Sequence, residues 1–157
     1  MTVIEYDDSN DAAEMTARTK EFVEEVVIPT ERDLPGGKPI SEAGIAELQE
    51  VAREYGVFAP QVPVEFGGEG MDFRSMLPVF EQPGRSLLGP IAMRINAPDE
   101  GNMHLLELAG TDEQKEQYLG PIAAGEMDSA FAMTEPTDVG GSDPKMIRTT
   151  AEQDGNE

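Results

Sequence analysis

A chain of 157 residues has room for one domain with its own core and not for two of ordinary size. Its 32 acidic against 11 basic residues give a net charge of −21, which argues against nucleic acid or an anionic membrane as a partner, since both select clustered Lys and Arg. The absence of cysteine excludes disulfides, thiol chemistry and cysteine-held metal, and no apolar run is long enough for membrane insertion. Residues 1–8 are acidic where an export signal would be basic and then apolar, so the expected location is cytoplasmic. The acidity is spread along the whole sequence, as expected of a halophilic surface whose self-repulsion is screened by counterions.

Residues 1–10 read as a loose, polar opening. Met15, Thr19, Phe22, Val23 and Val26 then recur at helical spacing and predict a first amphipathic helix ending near Pro29. Residues 33–39 are crowded with Pro and Gly, which predicts a loop. Ser41 stands at an N-cap position before a second helix carrying Ile45, Leu48, Ala52 and Tyr55, which Gly56 closes. Three prolines and a glycine cluster between Val57 and Gly70 forbid a continuous helix there and predict a shaped loop. A short helix capped by Asp72 is expected up to about Gln82, followed by an apolar stretch from Ser86 to Ile95. Met103, Leu105, Leu106 and Leu108 continue the helical pattern from Asp99 to Ala109. Gly110 ends it, and Thr111 with Gln114 forms a capping-box pair opening a further helix through Leu119.

After Gly125 the period changes, and residues 129–134 and 147–153 read as extended, partly alternating segments. The fold class read from the sequence is therefore mainly α: a helical bundle over residues 1–127, followed over 128–157 by the first strands of an incomplete β domain. Asp154-Gly155 is a strong hairpin turn signal with only Asn156 and Glu157 after it, which predicts the N-terminal piece of a longer protein.

The run Ala130-Phe131-Ala132-Met133-Thr134-Glu135-Pro136 and the following Gly140-Gly141-Ser142-Asp143 form the candidate site. Glycines let a backbone approach a ligand closely, and successive amides with the Thr134 and Ser142 hydroxyls can follow a phosphate or an electron-rich ring edge. By residue type alone, an ordinary surface loop is the simpler reading. Glu135, Asp138 and Asp143 can be grouped as an acid/base or metal cluster, but in so acidic a chain they read as solvated surface, and no metal site is expected. His104, the single histidine, reads as a packing or surface residue. Neither a Gly-x-Gly-x-x-Gly nor a P-loop occurs, so Rossmann-type dinucleotide binding has no support.

Three stretches together resemble the acyl-CoA dehydrogenase family: Ala59 to Gly70 with its Val-Glu-Phe-Gly-Gly-Glu-Gly loop; Leu108 to Gly125 with Gly110-Thr111-Asp112-Glu113-Gln114-Lys115 and Tyr118-Leu119; and Phe131 to Asp143. Their order and spacing match as well, and the resemblance covers nearly the whole chain. Residues 96–103 further resemble a subgroup of larger members sometimes fused to a phosphotransferase-like domain. The resemblance implies a helical N-terminal domain leading into a β-barrel middle domain, in a homo-oligomer. It implies oxidation of the Cα–Cβ bond of an acyl-CoA by FAD, with electrons passing to an electron-transfer flavoprotein. Carried onto this sequence, Phe131, Ala132 and Met133 would face the isoalloxazine, and Thr134 would hydrogen-bond the flavin ring. Ser142 with Gly141 would meet the FAD pyrophosphate or the acyl-CoA. The family's glutamate base is expected beyond residue 157, so no catalytic residue is assigned here. Thr137-Asp138-Val139-Gly140 lengthens the loop relative to the common Glu-Pro-Gly-Ala-Gly-Ser-Asp form, and the pattern assigns no ligand-facing residue within it. A non-catalytic interaction module and a same-fold flavin oxidase or monooxygenase are the alternatives.

The charge reading carries a direct test. Thermal melts should show a clearly higher Tm in molar KCl than in dilute buffer; equal melts in the two would count against a salt-adapted surface.

Overall fold

The computed structural model describes residues 10–36 and 38–155, so the reading of residues 1–9 as loose lies outside the described residues. The helical elements are α1 (Asn10–Phe22), α2 (Ile28–Asp33), α3 (Glu42–Glu54), α4 (Met76–Glu81), α5 (Gly89–Ala92), α6 (Asp99–Ala109), α7 (Asp112–Gln114) and α8 (Gly120–Ala124). Short 3₁₀ turns occupy Val64–Phe66 and Pro83–Arg85, and π segments occupy Val23–Val27 and Lys115–Leu119.

The first helix does not stop at Pro29. It runs from α1 through the π segment into α2. A proline costs an α-helix one i→i−4 bond and crowds the carbonyl four residues back. Here a wider turn lies directly upstream, with the Ile28 N–H donating to the Val23 carbonyl, so the chain absorbs Pro29 and continues. The same device recurs at Pro121, where the Gly120 N–H donates to the Lys115 carbonyl and the helix continues to Ala124 instead of ending at Leu119. In both cases the proline is the second residue after the π segment. The extra residue in the turn also shifts the apolar face by one position. Val27 is fully buried, and the expected core residue Val26 is only half-buried.

Local signals fix the other boundaries. The Ser41 Oγ accepts from the Gly44 N–H at 3.1 Å and starts α3. Gly56 ends that helix at φ +61°, a conformation that glycine adopts without strain. Thr111 and Gln114 make both bonds of a capping box, Thr111 N–H to Gln114 Oε1 at 2.9 Å and Gln114 N–H to Thr111 Oγ1 at 3.3 Å. Asp72 accepts from the Arg74 and Ser75 amides, and α4 begins four residues beyond it, at Met76.

Phe22, Val23, Val27, Ala52, Val57, Val62, Val79, Met93, Met103 and Leu119 are buried together, joining the first helix, α3, the 57–62 loop, α4, α6 and the second π segment. Phe22 packs a tilted ring on Tyr55, with centroids 5.4 Å apart. On α6, Met103 is buried while Leu105 and Leu108 face outward. No described helix is long and apolar enough to cross a membrane.

The expected strands do not form. Residues 129–134 and 147–153 are irregular, and no strand occurs among the described residues. A strand needs backbone partners on a neighbouring segment. The amides of Arg148 and Thr149 instead donate to a side chain, the Glu135 carboxylate.

Phe22 has no exposed surface, and its removal would leave a cavity at the meeting of the first helix and α3. Phe22→Ala should cost about 3–5 kcal/mol, read from urea denaturation at the KCl concentration of maximum stability.

Candidate functional site: an irregular strip anchored to the helical unit

Arg94 is the buried hub from which the site extends. This residue follows α5 in the left-handed region at φ +58°, and its side chain is 5% exposed. A buried guanidinium is tolerated only when acceptors surround it. Nε donates to the Ile122 carbonyl at 2.8 Å, Nη2 to the Met127 carbonyl, and Nη1 to Asp128 Oδ1 at 2.9 Å. Asp99, equally buried at the start of α6, places Oδ2 3.4 Å from Nη1.

Asp99 then reaches the next segment. Its Oδ1 accepts from the Ser129 N–H at 2.7 Å and from the Ser129 hydroxyl at 2.6 Å. One turn along α6, the Asn102 amide donates to Ser129 Oγ at 2.8 Å and to the Ala130 carbonyl at 3.4 Å. The chain leaving the helices is thus fixed immediately before residue 131.

Phe131, Ala132 and Met133 line an open cavity of about 380 Å³, with Ile147 and Thr149 on its other wall. The backbone groups of residues 131–134 find no hydrogen-bond partner among the described residues. Thr134 is exposed and continues the strip without lining the cavity. Gly141 adopts φ +55°, and its carbonyl accepts from the Glu135 N–H at 2.9 Å; Ser142 follows it, exposed, away from the cavity lining. Of the residues expected to face a flavin, Phe131, Ala132 and Met133 are brought together, while Thr134, Gly141 and Ser142 flank them.

Glu135 holds the two walls together. Its carboxylate accepts from the Arg148 N–H at 2.9 Å, the Thr149 N–H at 2.6 Å and the Thr149 hydroxyl. These donors hold its pKa below the usual glutamate value, the Thr149 hydroxyl foremost and then the amides of Thr149, Arg148 and Gly140. Gly140 leaves the room this needs: a Cβ there would stand 2.3 Å from Glu135 Oε2 and 2.8 Å from the Met146 carbonyl. The sequence reading of Glu135 as solvated surface missed this role. A glycine pair following a Thr-Glu-Pro turn was the available signal, as was Arg94, a lone cation in an apolar stretch.

His104 lies half-exposed on α6 with Nδ1 3.5 Å from Glu107 Oε2, in keeping with a surface role. It borders a separate cavity of about 130 Å³, with Phe73, Met76, Glu100 and Glu107. Among the described residues no group of three or more His, Asp or Glu side chains is placed to hold a metal.

The family model described as "Acyl-CoA dehydrogenase, N-terminal domain" matches residues 9–126. The chain belongs to the acyl-CoA dehydrogenase family. It is 32% identical over 151 residues to acyl-CoA dehydrogenase family member 11 of Mus musculus, a match covering 90% of this chain and 19% of that protein. FadE2 of Mycobacterium tuberculosis, named as an acyl-CoA dehydrogenase, is 38% identical over 112 residues, 71% of this chain and 26% of the relative. A solved Mycobacterium abscessus structure, also named as an acyl-CoA dehydrogenase, superposes with a TM-score of 0.70 at 36% identity, covering 84% of this chain and 36% of its own. The chain thus spans about a fifth to a third of the length of these acyl-CoA dehydrogenase relatives.

The depressed Glu135 pKa fixes the sign of a pH effect. The ionised clamp contributes stability above the unfolded glutamate pKa and loses it as pH falls through the lower folded value. The Thr149 amide shift, followed by NMR, should therefore titrate with a midpoint below that of an unstructured glutamate. Gly140→Ala should displace the carboxylate and move that midpoint back to the ordinary range.

Proposed function

We propose that this chain is the helical portion of an FAD-dependent acyl-CoA dehydrogenase and carries one part of its flavin and acyl-CoA site. The single observation that supports this most is the strip at residues 131–134: backbone donors and acceptors without a partner among the described residues, beside a largely apolar cavity and held at both ends by side chains. A flat heteroaromatic ring with polar edges needs that combination of apolar contact and aligned hydrogen-bond groups. The residues present fit such a ring.

Bound FAD would supply the hydride acceptor for oxidation of the Cα–Cβ bond of an acyl-CoA thioester to the trans-2-enoyl-CoA. Backbone atoms of Phe131, Ala132 and Met133 would lie along the ring. The Thr134 hydroxyl, exposed and without a partner among the described residues, would donate to its polar edge, where charge develops as hydride arrives. Gly141 and Ser142 would meet the pyrophosphate or the acyl-CoA, glycine allowing close approach and serine supplying a hydroxyl. Glu135 is not assigned as the base that removes the α proton: its carboxylate is engaged by the Thr149 hydroxyl and by the amides of Thr149, Arg148 and Gly140, which lower its pKa. Electron-transfer flavoprotein as acceptor, a homo-oligomeric subunit and a salt-rich cytoplasm complete the reading.

Equilibrium dialysis of FAD against the chain in molar KCl tests it. One FAD per chain should be retained, and Thr134→Ala should weaken binding about tenfold, the worth of one well-placed hydrogen bond. Absence of saturable uptake, or identical uptake by the variant, would overturn the assignment of the strip.

A further inference from the structure

We infer that Ser129 and Asn102 are positioning residues for the flavin strip, setting where residues 131–134 lie relative to the helical unit. The inference rests on the flavin reading above and names the side chains on which its geometry depends.

The Arg94 network divides into two parts with different duties. Arg94 bonds to the carbonyls of Ile122 and Met127 and to Asp128, which closes the end of α8 onto the α5 turn. That part holds helices together. The bonds from Asn102 and Asp99 to Ser129 join no helix to another; they join α6 to the segment that leaves the bundle. Ser129 Oγ is filled in both senses, donating to Asp99 Oδ1 and accepting from Asn102 Nδ2, so its direction is fixed. Among the described residues, the backbone beyond Ala130 has no further hydrogen-bonded anchor until Glu135. The two anchors therefore decide the placement of a strip whose own backbone groups are left for a ligand, and of the two only Ser129 refers that placement to the helical unit.

The side chain of Ser129 is also separable from the fold. Its removal leaves the Arg94–Asp99 pair intact, together with the Ser129 N–H bond to Asp99. Asn102→Ala removes the second arm of the same anchor and likewise leaves Arg94 paired. Ser129→Thr retains the hydroxyl.

Three readouts on the chain in molar KCl test the inference: FAD affinity by dialysis, Tm, and NMR order parameters of the backbone at residues 131–134 without FAD. Ser129→Ala and Asn102→Ala should each weaken FAD binding about three- to tenfold, lower the order parameters at 131–134 and leave Tm within about 2 °C of the parent. Ser129→Thr should restore both binding and order. Unchanged order parameters and unchanged FAD affinity in both alanine variants would overturn the inference while leaving the flavin reading intact. A loss of affinity matched by a large fall in Tm would overturn it as a purely structural contact. If the parent chain retains no FAD, the flavin reading fails and the inference fails with it, whatever the order parameters show.

Discussion

The buried charge of Arg94 is the constraint around which this molecule is arranged. A guanidinium at 5% exposure loses its hydration and must recover it from fixed acceptors, and no single neighbour can supply enough. Its planar fork spreads the demand over the Ile122 and Met127 carbonyls, Asp128 and Asp99, which belong to α8, the segment after it and α6. A lysine, one compact charge on a flexible stem, could not bridge these directions at once. The left-handed backbone at Arg94 carries strain of about 1–3 kcal/mol, tolerated because it aims the side chain inward at that meeting point. Asp99 is buried for the same reason and so is available, on its other oxygen, to capture Ser129.

Where one residue and its near neighbours decide the outcome, the sequence was legible. Ser41, the Thr111–Gln114 pair and Gly56 act within a turn of themselves, and each helix boundary they marked is present. Where the outcome depends on how the backbone relaxes, it was not. Pro29 and Pro121 are helix breakers by residue type, yet each follows a π segment that spaces the carbonyls to admit it. That same relaxation moved the core position from Val26 to Val27, a shift no fixed periodicity contains. The strands failed for a related reason. Alternation along 147–153 states which face would be apolar but not which backbone would pair with it, and the amides at Arg148 and Thr149 went to a carboxylate.

The candidate site shows a similar division. Phe131, Ala132 and Met133 could be singled out because their motif is contiguous. Glu135 belongs to the same motif, but its clamp role could not be read, because a carboxylate in a chain of net charge −21 is overwhelmingly a surface group, and only the convergence of three backbone amides and one hydroxyl distinguishes it. Arg94, Asp99 and Ser129 are far apart along the chain and meet only once α5, α6 and α8 are packed.

These roles separate recognition from chemistry. The side chains with the strongest electrostatic engagement, Arg94, Asp99 and Glu135, each spend their hydrogen-bonding capacity on holding backbone in place. The surface they leave for a ligand, Phe131, Ala132, Met133, Ile147 and Thr149, contains no titratable group. A base that removes a proton next to a carbonyl works best with a pKa raised towards the operating pH, whereas Glu135, the carboxylate beside this surface, has its pKa lowered. On the proposed flavin reading the strip would bind and orient, its donors meeting charge that appears on a bound ring, while proton abstraction would fall to a group other than those that line it.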